Sequence, residues 1–247
     1  MAGAAKNNNY VRRYFTMCGR FNLTATPGQI MDAFSLSAVP DIRPNYNITP
    51  GSDILAIVPV PEQISVVKDN DYAQAVFLFW GLIPSWAKDR KISSNLINGR
   101  AETVADKPSF RSAFKQRRAL VVVSGYYEWA QTDQGKQAYH ITRADQQVFA
   151  FAGLWEHWEQ GSESIYSCTI ITTAANKKMA SVHHRMPVIL GREHYRQWLD
   201  ARTDQGLLFQ LLSNDGAYNN MEAFPVSNWV NNPRHNDIDC IKPLSAA

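Results

Sequence analysis

The chain is poor in cysteine: Cys18, Cys168 and Cys240 are its three thiols, and none stands in a CxxC spacing. Three cysteines cannot all pair, and the ligand spacing of a zinc site is missing. A disulfide framework and a structural metal are therefore excluded, and a reducing, cytoplasmic setting is expected. No apolar run approaches the roughly 18 residues of a membrane helix, so no membrane partner is expected. Residues 1–16 hold an Asn run and the pair Arg12–Arg13 but no apolar stretch, which excludes a secretory signal. Net charge is also scarce. The formal +3 is accounted for by Lys6, Arg12 and Arg13, and the chain beyond them is balanced. Overall charge thus gives no reason to expect a nucleic-acid partner, which has to be argued from local clustering. No internal repeat and no βαβ spacing occur, which excludes solenoids and doubly wound sheets.

What is present is an ordinary core-forming composition, 247 residues with 45% hydrophobic and 19% charged. Runs rich in β-branched and aromatic residues predict strands at Ile54–Val58, Ile64–Lys68, Ala75–Trp80, Ala119–Ser124, Tyr126–Ala130, Ala138–Thr142, Val148–Leu154, Ile165–Thr173 and Val188–Leu190. Helices are predicted over Thr26–Phe34, where Thr26 caps and Pro27 takes the first turn, and over Ser109–Gln116, Glu193–Asp200 and Gln205–Leu212. The Pro- and Asn-rich stretch from Pro40 to Gly51 reads as a loop. Strands dominate and the helices are short. The expected fold is a single α+β domain over 18–243 with a mixed, open β-barrel-like sheet, preceded by residues 1–17 as a leader or mis-placed start outside the fold.

Cys18 directly follows Met17. If everything before it is removed, it carries an α-amine with pKa about 7.7 to 8.0 and a thiol with pKa about 8.5 on neighbouring carbons. Such an aminothiol captures an aldehyde and closes a five-membered thiazolidine; an internal cysteine, whose nitrogen is an amide, does not. Further along, Asn98 and Arg100 sit two apart and share a face if extended, placing an amide and a guanidinium side by side. Glu128 lies in Gly125–Trp129 at the end of a very apolar strand, where desolvation raises a carboxyl pKa toward that of a general acid or base. His183 and Arg185, just before the Val188–Leu190 strand, suit a thiol partner and a phosphate contact, and adjacent histidines on a strand do not suit a metal. Thr172 offers a hydroxyl to the same place. Between Lys88 and Arg118, nine basic residues face three acidic ones, a local excess of six positive charges.

Six segments in order carry a family resemblance: the Met-Cys-Gly-Arg start at Met17, Tyr46–Gly51, Phe79–Trp86, Asn98–Thr103, Gly125–Trp129 and His183–Pro187. Together they resemble the SRAP family, the SOS response-associated peptidase-like proteins, which include abasic-site DNA crosslinkers. From Cys18 to about Pro243, the resemblance implies an open barrel-like fold, binding of single-stranded DNA containing abasic sites, and covalent capture of the deoxyribose aldehyde by Cys18. It implies that Asn98 orients the opened sugar, Glu128 and His183 handle protons, Arg20, Arg100 and Arg185 meet phosphates, and Trp86 stacks on a base. No metal or organic cofactor is required, and a monomer is expected. A thiol peptidase that removes its own leader and a non-catalytic single-strand binder are the alternatives.

Overall fold

The run Arg118–Val123 is buried at every position, because it is walled on both faces. It is one stave of a barrel. The computed structural model describes residues 18–60 and 72–244, with strands β1 (Phe21–Leu23), β2 (Asn45–Ile48), β3 (Asp53–Pro59), β4 (Ala73–Trp80), β5 (Asn98–Arg100), β6 (Arg118–Val123), β7 (Gly125–Thr132), β8 (Gly135–Arg143), β9 (Phe149–Gln160), β10 (Glu163–Ala174), β11 (Arg185–Pro187), β12 (Ile189–Leu190) and β13 (Met221–Pro225). The helices are α1 (Pro27–Phe34), α2 (Arg111–Gln116), α3 (Tyr195–Leu199) and α4 (Gln205–Ser213).

Strands β10, β4, β3, β6 and β9 pair in turn, and β9 pairs back onto β10. The mixed sheet expected from sequence is present, and it goes beyond an open barrel by closing into a ring of five strands. Closure removes the free edges that would otherwise invite association. The β10–β4 pair is parallel, and the other four pairs of the ring are antiparallel. Beyond its ring contacts, β10 runs on to pair with β5 in parallel and with β11 antiparallel. A second sheet, in the order β13-β8-β7-β1-β2, lies beside the barrel.

The long elements follow the predicted runs. Thr26 caps α1 through a capping box with Gln29, as its sequence signals. The predicted strand Ile64–Lys68 lies outside the described residues. The stretch Pro40–Gly51, expected to be loop throughout, contains β2, which pairs with β1. Glu193–Asp200 divides into a 3-10 turn and the short helix α3.

Candidate active site

Cys18 stands at the entry to the second sheet, and Glu128 lies on β7 of the same sheet. On a strand, neighbours alternate faces. Tyr126 and Glu128 therefore share one side of β7, while Tyr127 and Trp129 pack on the other with Val226, Val230 and Cys240. The burial expected of Glu128 is present: Tyr126 and Cys18 lie on its side of the sheet, while the rings of Tyr127 and Trp129 lie on the other. Gly125 makes this strand's approach possible. A Cβ there would stand 2.2 Å from His140 Nε2 and 2.8 Å from Asn22 Oδ1, and those two groups are bonded to each other at 2.9 Å.

The Cys18 main-chain nitrogen donates to Glu128 Oε1 at 2.9 Å. Both residues are buried, at 1% and 6% exposure. Burial pushes the Glu128 carboxyl up to about 8, partly offset by the Cys18 N–H. Burial also pushes the Cys18 thiol up, and the Glu128 charge adds to the effect. Asn98 Nδ2 donates to the Cys18 carbonyl at 3.4 Å and so bridges the second sheet to β5 on the barrel. Asn98–Arg100 is extended, as the i, i+2 spacing required, and Arg100 is exposed at its end. Cys18 holds φ at +38°, in the left-handed region that costs a side-chain-bearing residue about 1 to 2 kcal/mol.

His183 precedes β11. Its Nδ1 lies 3.2 Å from both the nitrogen and the carbonyl oxygen of Arg185. Burial lowers its pKa; the Arg185 carbonyl opposes that shift, while His184 and Lys136 reinforce it. The Arg185 side chain is engaged elsewhere. Its guanidinium forks onto Glu102 at 2.5 and 3.0 Å, and Nη2 also donates to the Thr172 carbonyl at 2.6 Å. An open phosphate contact from Arg185 is therefore corrected to a pre-paired cation. Thr172 is corrected as well: it is 0% exposed, and its hydroxyl donates to the Gly99 carbonyl at 3.3 Å, so it faces a neighbouring strand and not a ligand.

Arg20 is half-buried, and its Nη1 donates to Asn47 Oδ1 and to the Val230 carbonyl, each at 2.7 Å. Its guanidinium lies 5.8 Å from the centre of the Trp129 ring. Trp86 is 58% exposed on the segment between β4 and β5. The basic segment is less uniformly superficial than its composition suggests. Arg118 is buried and donates to the carbonyls of Trp198, Phe114, Lys115 and Asp200, and Arg117 pairs with Glu156. Arg90, Lys91, Arg111 and Lys115 are exposed.

Sequence reasoning missed Glu102 and Asn47. Glu102 stands two residues after Arg100, a spacing that signals a shared side. Asn47 gives no local signal, because its partners are the carbonyls of Val230, Asn232 and His235.

A closed five-stranded barrel with a buried cysteine and carboxylate at its junction with a second sheet defines the class, and comparison with known proteins gives the family. The profile of the SOS response associated peptidase (SRAP) family matches residues 17–233. The chain belongs to this family. It is 38% identical over 231 residues to the abasic site processing protein YoaM of Bacillus subtilis (strain 168), covering 91% of this chain and 97% of the relative. It is 31% identical over 271 residues to the abasic site processing protein HMCES of Xenopus tropicalis, covering 92% and 78%. The crystal structure of a Bacteroides thetaiotaomicron protein shares the fold, with a TM-score of 0.76 at 23% identity over 92% of this chain and all of that one. A phage-related protein of Bordetella bronchiseptica superposes with a TM-score of 0.64 at 26% identity over 85% and 94%.

Proposed function

We propose that this protein captures abasic sites in single-stranded DNA by forming a thiazolidine between Cys18, once N-terminal, and the aldehyde of the opened deoxyribose. The observation that carries this reading is the Cys18 nitrogen held 2.9 Å from a buried carboxyl whose pKa is pushed up to about 8. The names of the relatives, abasic site processing proteins, supply the substrate.

In this reading the α-amine adds to the aldehyde carbon, and Glu128 in its acid form donates a proton as hydroxide leaves as water. The thiol then adds to the carbon of the resulting iminium, whose nitrogen keeps its proton, and the thiol proton returns to the carboxylate, so that one water is lost overall. Asn98 holds the sugar from the barrel side while Arg20, Arg100 and Trp86 meet the strand. His183 exchanges protons from the β11 side. The reaction needs a free amine, so residues 1–17 are removed before it. The left-handed φ of Cys18 favours that removal, since a residue with no preceding peptide has no φ to strain. The family match begins at Met17, one residue earlier.

Peptidase chemistry toward other proteins is less well supported. A protease thiol needs a depressed pKa, whereas this one is raised, and among the described residues no hydrogen bond joins it to a histidine. The test is to mix protein beginning at Cys18 with an abasic single-stranded oligonucleotide and separate the products under denaturing conditions. A stable adduct whose mass equals the sum of the two minus one water is expected. Its absence overturns the reading.

A further inference from the structure

Arg185 performs two separate tasks with two separate parts of itself. Its guanidinium ties three elements together: the turn after β5 through Glu102, β10 through the Thr172 carbonyl, and its own strand β11. Its main chain presents both a donor and an acceptor to His183 Nδ1, each at 3.2 Å. A neutral imidazole protonated on Nε2 accepts the Arg185 N–H at Nδ1. A protonated imidazole instead donates from Nδ1 to the Arg185 carbonyl. One peptide segment thus supplies a partner to each charge state, and the ring gains or loses a proton without leaving a hydrogen bond unmade.

We propose that Glu102 is a positioning residue for His183, acting through Arg185: its carboxylate fixes the guanidinium, and the guanidinium fixes the main chain that serves both protonation states of the imidazole. The inference rests on the proton-handling role given to His183 above. A forked guanidinium–carboxylate pair is the side-chain contact best suited to hold an arginine in one orientation. Glu102 stays ionised in this role, because its hydrogen bond to Arg185 holds its carboxyl below the ordinary range, with Arg100 adding to the effect.

The charged groups around His183 make the dependence directional. From its own turn His184 lies with ring centres 4.3 Å apart, from β8 comes Lys136, from β11 Arg185, and behind Arg185 stands Glu102. His184 and Lys136 oppose a positive imidazole. Glu102 compensates Arg185, which would otherwise add to that opposition. Removing the carboxylate both loosens the Arg185 main chain and uncovers its charge. Each change disfavours protonated His183, so its titration moves to lower pH.

The experiment follows the His183 ring Cε1 proton by NMR across a pH series in protein without DNA, comparing the parent with Glu102→Gln. In Glu102→Gln the His183 titration should fall by about half a pH unit, and the matching limb of the pH profile for adduct formation should fall with it. Arg185→Lys keeps the charge but lacks the fork, and should also move the titration. In a His183→Ala background, Glu102→Gln should no longer change the profile. A folded Glu102→Gln protein whose His183 titrates at the parental pH overturns the proposal, as does a rate loss equal at all pH values. A shifted titration in a protein whose parent forms no adduct overturns the thiazolidine reading and leaves the coupling of Glu102 to His183 standing.

Discussion

The main-chain nitrogen of Cys18 and Oε1 of Glu128 meet at 2.9 Å across 110 residues of chain. The contact puts a titratable group directly on the atom that the proposed reaction uses as its amine nucleophile. It also explains why the carboxyl is kept from the water that would hold it ionised: β7 reaches Cys18 only by burying Glu128.

Glu128→Gln keeps the shape and removes the acid, so it should slow adduct formation and adduct release together by about 10²-fold to 10⁴-fold, as loss of a general acid does. The same substitution changes how stability varies with pH. The Glu128 carboxyl titrates near 8 when folded, against 4.5 as its reference, so between these values the folded state holds a proton that the unfolded state releases. Its contribution is present below about pH 4.5 and is lost as pH rises through about 8. Denaturant midpoints measured across that window should fall with rising pH in the parent and flatten in Glu128→Gln. Equal slopes would place the carboxyl in water.

Cys18→Ala should abolish the denaturation-resistant adduct and leave binding to undamaged single strands nearly intact. Cys18→Ser should give at most a labile product, because an oxazolidine hydrolyses readily. Gel separation before and after mild acid distinguishes the three proteins, and a stable adduct from the alanine variant would move the nucleophile elsewhere.

The cations of the basic segment should separate into two groups. Arg100→Ala removes an exposed guanidinium and should flatten the salt dependence of strand binding. Trp86→Ala should weaken binding by about 1 to 3 kcal/mol with the slope retained. Arg118→Met should leave the slope alone and cost about 3 kcal/mol of folding stability, because it strands four carbonyl acceptors, two of them in buried hydrogen bonds. Binding titrations at several salt concentrations, with denaturant melts alongside, check the assignment. A changed slope in Arg118→Met would put that residue on the surface.

His140 is held neutral, its pKa lowered to about 4 by burial from a reference of 6.5. Between those values the unfolded state takes up a proton that the folded state refuses, so this contribution is present above about 6.5 and lost as pH falls through about 4. His140→Gln should lessen the decline in stability between pH 6.5 and 4, measured by chemical denaturation. Gly125→Ala drives a methyl into the His140 ring and should cost about 1 to 3 kcal/mol at any pH. A parental melting profile for Gly125→Ala would show that the ring yields freely.

The barrel was legible because its staves are long. Val148–Leu154 and Ile165–Thr173 carry enough β-branched and aromatic residues to declare themselves, and both are confirmed and extended in β9 and β10. The short strands beside the site were not, although β7, which carries Glu128, was. β1, β5 and β11 have three residues each, too few for alternation to be counted. The residues of the candidate site stand out by type, but their partners do not, since an ion pair has no local signature. Arg185 finds Glu102 across 83 positions and Arg117 finds Glu156 across 39. Thr172 was misread for a related reason: a strand terminus looks open until a short neighbour such as β5 covers it.

Asn47 closes a clasp, its Nδ2 shared among the carbonyls of Val230, Asn232 and His235, while Arg20 grips Val230 beside it. These acceptors stand 183 to 210 positions along the chain from the groups they hold. A half-made polypeptide therefore has its cysteine but lacks the segment that steadies Arg20 two residues away. Arg20 is thus steadied only once Val230 has been made and folded back, whereas Cys18 finds Glu128 and Asn98 earlier along the chain.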